Sequence, residues 1–269
     1  MSSITQALQD FQSLETLAAK ESALSALDAR GKILVTLGYI FTVVSFDRYA
    51  VAALLPLAVF PVVLAALGNI PARVIGRSVL LAAPFALMLG AFNPIFDQQV
   101  VMRVAGVGIS AGWLSFASIM VRFALTVSAG LILLAGTGFA PLCVGLGRLG
   151  VPQVLTTQLL LLHRFSGVLA SEAVRMSLAR ELRANGKTLP LSVYGPLLGN
   201  LLLRALERAG RIHQAMLARG FNGQLPRSAG LLWQRRDTGF VAVCLLGFLL
   251  ARQLDLAHGL GALVLGLVR

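Results

Sequence analysis

Polar residues are sparse along this chain, and the lengths of the apolar runs between them predict its elements. A transmembrane helix needs roughly 20 largely apolar residues. Runs of that kind fall near 33–47, 49–68, 77–96, 112–136 and 239–267. The first is short and borrows from residues before Lys32, and Asp47-Arg48 predicts a tight turn between the first two. After the third run, "DQQVVMRVAGVGISAG" alternates apolar residues around Gly106 and Gly108, the pattern of a short hairpin.

Beyond the fourth run the pattern becomes periodic. One long helix is predicted from about Gln153 to Asn185, with a stop at Gly186 and Pro190 following. It opens on "QLLLLH", too short an apolar stretch to span, and turns amphipathic after Arg164; its start is expected in or just under the bilayer surface. A second helix is predicted from about Leu197 to Arg219, before Gly220. In it Leu198, Leu202, Ala205, Ala209, Ile212 and Met216 repeat at steps of four and three, one helical stripe. The small Ala205 and Ala209 let another helix approach closely. Arg204, Arg208 and Arg211 lie mostly off the stripe, and Glu207 stands four residues before Arg211, a favourable pair.

Composition agrees with a bilayer protein: 57% of residues are hydrophobic and 13% charged, against about 25% charged in soluble domains. The expected fold class is an all-α polytopic membrane protein. It has about five transmembrane helices, or six if residues 139–165 dip into the membrane, plus two long cytoplasmic amphipathic helices. The expected segments are an amphipathic N-terminal stretch (1–32), membrane helices one to four (33–136), a cytoplasmic or interfacial region (137–237) and a C-terminal membrane helix (238–269). The mixed-charge N-terminus lacks the basic start and apolar core of a signal peptide, and no cleavage is expected.

Charge is unevenly placed. The chain carries +12, of which residues 163–236 hold +9. Aromatics make up only 7% and no nucleic-acid motif appears, so nucleic acid is not an expected partner. Arg30, Lys32, Arg73, Arg77 and Arg148 flank the spans so as to predict the N-terminus and region 137–237 in the cytoplasm, with the hairpin outside.

Conventional sites are scarce. "NGKT" at 185–188 lacks the glycine a phosphate loop needs five residues before Gly186, where Glu181 stands, so no nucleotide site is expected in this chain. His163, His213 and His258 are widely spaced, and no metal set is predicted. Cys143 and Cys244 sit in apolar stretches and read as small packing residues. Arg122 falls near the middle of the fourth span, where an arginine costs about 2.5–3.5 kcal/mol on insertion scales. It should face protein, with Asp97 or Asp47 as partners. Asn93-Pro94 ends the third span. Asp47 and Asp97 are the only acids of spans one to four, which argues against a membrane enzyme such as a lipid-modifying transferase. A stand-alone carrier would show broken helices in an inverted repeat, and none is visible.

Two motifs remain, Ala179-Arg180-Glu181 and Ala218-Arg219-Gly220, 39 residues apart and each at the C-terminal end of a predicted helix. Arginine there complements the helix dipole and caps free carbonyls. Alternatively, a guanidinium beside a small alanine can reach into a partner's groove and take a carboxylate in a two-bond fork.

The two Ala-Arg motifs, with "NPIFD", "GLGRLGVPQVL", "RMSLARELRANG" and "RALERAGRIHQAMLARGFNG", resemble the transmembrane component of energy-coupling factor transporters, in its CbiQ-like cobalt/nickel branch. That family ordinarily has Gly or Ser after the first Ala-Arg, where this chain has Glu181. The resemblance implies a non-catalytic coupling subunit of an ATP-driven uptake transporter in the cell (inner) membrane. Its two cytoplasmic helices would cross and dock, through Ala179, Arg180, Glu181, Ala218, Arg219 and Gly220, onto two ATP-binding subunits. Asn93, Pro94, Ala205 and Ala209 would pack against a separate metal-capturing membrane subunit, and a small accessory membrane subunit is a further implied partner. This chain would bind no cofactor; ATP would be hydrolysed by its partners.

Overall fold

A computed structural model describes residues 22, 24–47, 51–96, 100–104, 107–184, 191–223 and 233–253. The described residues form ten α-helices, two 3-10 turns and one hairpin, and they divide into two compact units. The fold class is the expected all-α polytopic membrane protein.

The first unit comprises the described residues up to Gly138 and the helix after Trp233. It begins with α1 (Ala29–Val44), capped by Asp28, whose carboxylate accepts from the Arg30 N–H. The helix starts before Lys32, as the short apolar run required. The second run is not one unbroken helix: the chain divides into α2 (Val51–Leu54), a 3-10 turn (Pro56–Ala58) and α3 (Val59–Leu67). Proline supplies no amide hydrogen, and Pro56 stands where a continuous helix would need one. Next come α4 (Ala72–Gly90) and α5 (Asn93–Phe96). The expected hairpin follows, β1 (Val100–Val104) antiparallel to β2 (Val107–Ser110), with Arg103 opposite Gly108. Then α6 (Ala111–Thr137) runs 27 residues, about 40 Å at 1.5 Å per residue. The last described element is α10 (Arg235–Gln253).

The core of this unit is a seam between α1, α6 and α10. Tyr39, Val35, Val43, Leu54, Leu57, Leu125, Ala129 and Phe248 close it. Tyr39 stacks on Phe60 with ring centroids 4.5 Å apart, and Phe248 meets Phe60 edge-on at 4.9 Å. The buried Tyr39 hydroxyl donates to the Leu57 carbonyl at 3.0 Å, satisfying a group of the 3-10 turn. Gly38 sets the approach of α1 to α10: a Cβ there would lie 2.6 Å from Leu245 Cδ2.

Several polar groups inside this unit are tied to backbone, while the buried Ser118 and Thr137 hydroxyls and the Arg122 Nε have no hydrogen-bond partner among the described residues. Lys32 is buried, and its ammonium donates to the Leu24 and Gly136 carbonyls at 3.0 and 3.4 Å. Buried Asp237 accepts from the Asp28 and Gln234 amides at 3.0 and 2.8 Å, joining the starts of α1 and α10. Arg30 pairs with Asp28 at 3.1 Å and lies over the Trp233 ring. By contrast, the outside of α4 is apolar and exposed at Leu80, Leu81, Phe85 and Met88. Among the described residues, α4 and α6 are long and apolar enough to cross a membrane.

The second unit holds α7 (Phe139–Arg148), α8 (Gln153–Arg183), a 3-10 turn (Leu191–Val193) and α9 (Tyr194–Ala218). The long helices agree with the predicted bounds to within a turn. The predicted stop at Gly186 and Pro190 lies outside the described residues.

Candidate functional site

The site is built on α8 and α9, and each ends in a way that exposes its arginine. In α8 the terminal carbonyls of Arg180, Glu181 and Leu182 are met by the amide of Ala184. In α9 the Gly220 amide bonds the Leu217 carbonyl at 2.9 Å and the Phe221 amide bonds Met216 at 3.0 Å. That pair of bonds is a Schellman end, which needs a left-handed residue after the cap. Gly220 supplies it with φ +78°. Backbone groups therefore close the α9 end, and at α8 the Ala184 amide is shared by the last carbonyls, with residues 185–190 outside the described residues. Neither the Arg180 nor the Arg219 side chain has a hydrogen-bond or ion-pair partner among the described residues, and both are exposed. Of the two readings of these arginines, side-chain capping has no bond to carry it here.

The helices are held together by one acid. Glu172 of α8 accepts from Arg204 of α9 at 2.6 Å and from Arg175 at 2.9 Å. The Arg204 hydrogen bond first, then Arg175, keeps its carboxyl below the usual carboxylate range despite some burial cost. The Glu172–Arg175 spacing is a visible helical pair, but Arg204 lies 32 residues away, and no periodic signal joins it to Glu172. The predicted Glu207–Arg211 pair is present but loose at 3.9 Å.

The predicted stripe of α9 is covered on one side only. Its half-buried positions are 197, 201, 205, 208, 212 and 216, while Leu198, Leu202 and Ala209 are exposed. The apolar arc is wider than the side turned to α8, so half of the stripe is left uncovered among the described residues of this unit. Ala205 lies on the packed side and Ala209 on the open one, where Leu198, Leu202 and Leu206 are each more than half exposed.

Arg122 faces protein, as expected. Among the described residues its guanidinium donates to the carbonyls of Val44, Phe46 and Asp47, reaching Asp47 through its backbone and not its carboxylate. Arg252 joins it with a 2.9 Å bond to the Ser45 carbonyl and a position over the Phe46 ring. The end of α1 leaves unpaired carbonyls, and two arginines take them. Asp97 lies outside the described residues. Asn93 donates to the Ser115 hydroxyl at 3.1 Å, fastening α5 to α6. His163 stacks on Phe139 at 4.3 Å, a packing role, and His258 lies outside the described residues.

Helix pair, free arginines and apolar membrane unit can be set beside known proteins. A family model described as cobalt transport protein, CbiQ, matches residues 20–228, which take in α1 to α9 and both Ala-Arg ends. The chain belongs to the CbiQ family. It is also 35% identical over 102 residues to "Nickel permease LarQ" of Lactiplantibacillus plantarum, covering 38% of this chain. The match spans 37% of that relative's length. As a CbiQ-family chain, this is a membrane protein of a cobalt transport family, and α10 lies beyond the matched range.

Proposed function

We propose that this chain is the transmembrane coupling subunit of an ATP-driven uptake transporter of the energy-coupling factor type, with cobalt or nickel as cargo. The observation that carries the reading is the pair of exposed arginines at the ends of α8 and α9, neither with a partner among the described residues and the second on an end closed by backbone. Family membership supplies the cobalt class, and the LarQ relative's name supports nickel beside it.

In this reading the protein is a multi-pass subunit of the cell (inner) membrane with its N-terminus and region 137–237 in the cytoplasm. Arg180 and Arg219 each enter a groove of an ATP-binding subunit, where a guanidinium fork meets a carboxylate. Ala179 and Ala218 leave room for the groove wall. The subunits bind and hydrolyse ATP, and their closure moves the two helices. Glu172 and Arg204 make that movement common to both. The open apolar side of α9, with Leu198, Leu202 and Ala209, then packs against a metal-capturing membrane subunit. A small accessory membrane subunit completes the assembly. The chain itself performs no chemistry; it transmits force.

The test is to express the tagged chain with its neighbouring genes, extract it in mild detergent and identify what co-purifies. Two copies of a P-loop ATPase and a second membrane protein are expected. Recovery of the chain alone, still moving or modifying a substrate, sinks the coupling reading.

A further inference from the structure

Arg204, Arg208 and Arg211 stand at i, i+4 and i+7 of α9 and therefore share one side of the helix. With Glu207 of the same helix and Leu169 and Glu172 of α8, they line a cavity of about 260 Å³. Its charges are unequally engaged. Glu172 is held between Arg204 and Arg175 and is already neutralised. Arg211 is 3.9 Å from Glu207, with both side chains 70% exposed. An exposed pair of that length contributes little, and Arg211 can leave it cheaply. Arg208 is half-buried on the cavity wall and has no hydrogen-bond or ion-pair partner among the described residues. Counting Arg175, four arginines face two glutamates.

The geometry points to a binding site in this cavity for a phosphate-bearing anion, held by Arg208 and Arg211 with Arg204 fixed behind them by Glu172. A carboxylate offers two oxygens in one plane and satisfies one guanidinium fork. A phosphate offers several oxygens at tetrahedral angles, so two forks from neighbouring turns can share it. A phospholipid headgroup and dissolved phosphate present the same chemistry to this wall. The site is separate from the Arg180 and Arg219 helix ends and does not depend on what they bind.

The test follows the unfolding temperature of the full-length chain in mild detergent at constant ionic strength. The probes are inorganic phosphate, short-chain phosphatidylglycerol, short-chain phosphatidylcholine and acetate. A ligand that binds only the folded state raises that temperature in a saturable way. Such a rise is expected with phosphatidylglycerol. If inorganic phosphate also produces it, the site takes dissolved phosphate; if phosphatidylglycerol alone does, it takes a lipid headgroup. Arg208→Gln should weaken half-saturation about tenfold or more, the usual loss for a charge-assisted bond, and Arg211→Gln should weaken it independently. Arg236→Gln, an exposed change outside the cavity, should leave it unchanged. Arg208 makes no bond among the described residues, so its variant should keep the parent's unfolding temperature without ligand. No saturable rise with either phosphate source, or an equal rise in Arg208→Gln, overturns the proposal. Acetate matching phosphate would overturn it in favour of an acidic peptide.

Discussion

The two units treat charge in opposite ways. In the membrane unit Lys32, Asp237 and Arg122 are bonded to backbone groups of neighbouring segments. In the helix pair, α9 contains no buried residue, and Arg180, Arg208 and Arg219 have no partner among the described residues. A charge in an apolar setting must be satisfied where it is, and these three are bonded in place, although the buried Ser118 and Thr137 hydroxyls and the Arg122 Nε have no hydrogen-bond partner among the described residues. The second unit is surface, with leucines and arginines both displayed. The first, more finished unit holds the fold together; the second leaves its arginines and leucines unfinished, as a surface open to other molecules.

The sharpest way to break this contrast is charge reversal in the unfinished unit. Arg180→Glu with Arg219→Glu should abolish co-purification of ATP-binding subunits while the protein still enters the membrane and keeps its unfolding temperature. Normal co-purification would show those arginines to be mere surface. In the finished unit, Gly38→Leu forces side-chain atoms into the α1–α10 seam. It should cost about 1–3 kcal/mol, the usual range for overpacking, read as a lower unfolding temperature in detergent. Arg122→Leu should follow. It strips charge-assisted bonds from the carbonyl end of α1, worth about 1.5–3 kcal/mol, whereas Arg236→Leu should be near neutral. Equal, mild effects of the two would mean that the α1 end finds other donors.

The smallest effect belongs to Glu172. Its folded value is lowered, so the Arg204 bridge is fully present above the ordinary carboxylate value near 4.5 and fades as pH falls below it. Glu172→Gln should leave the unfolding temperature nearly unchanged at neutral pH, and should loosen spin-label distances between α8 and α9 as acid does in the parent. Distances unchanged in both cases would remove Glu172 as the link.

Much of this was legible in the sequence, for definite reasons. α6 was readable because 27 residues hold only Arg122 as a charge, and α9 ended where Gly220 could take a positive φ. The second run was misread as one helix because hydropathy counts Pro56 as just another weakly polar residue and ignores its missing amide hydrogen. The partners of Arg122 were invisible because carbonyls belong to every residue and carry no letter of their own. Which half of the α9 stripe meets α8 was not legible, because periodicity reveals an apolar arc, not which part of it a neighbour covers.

The backbone closure of α9 separates two kinds of inheritance. Since the Arg219 side chain has no part in ending the helix, a substitution there leaves the fold almost unaware of the change. Gly220 lacks that freedom, because its φ is fixed by the turn. One position can drift with whatever groove it must fit, while the next stays put and keeps the drifting residue correctly presented. Under the proposed docking role, such a terminus is an evolvable contact: partner preference can be rewritten one side chain at a time, with stability left out of the exchange.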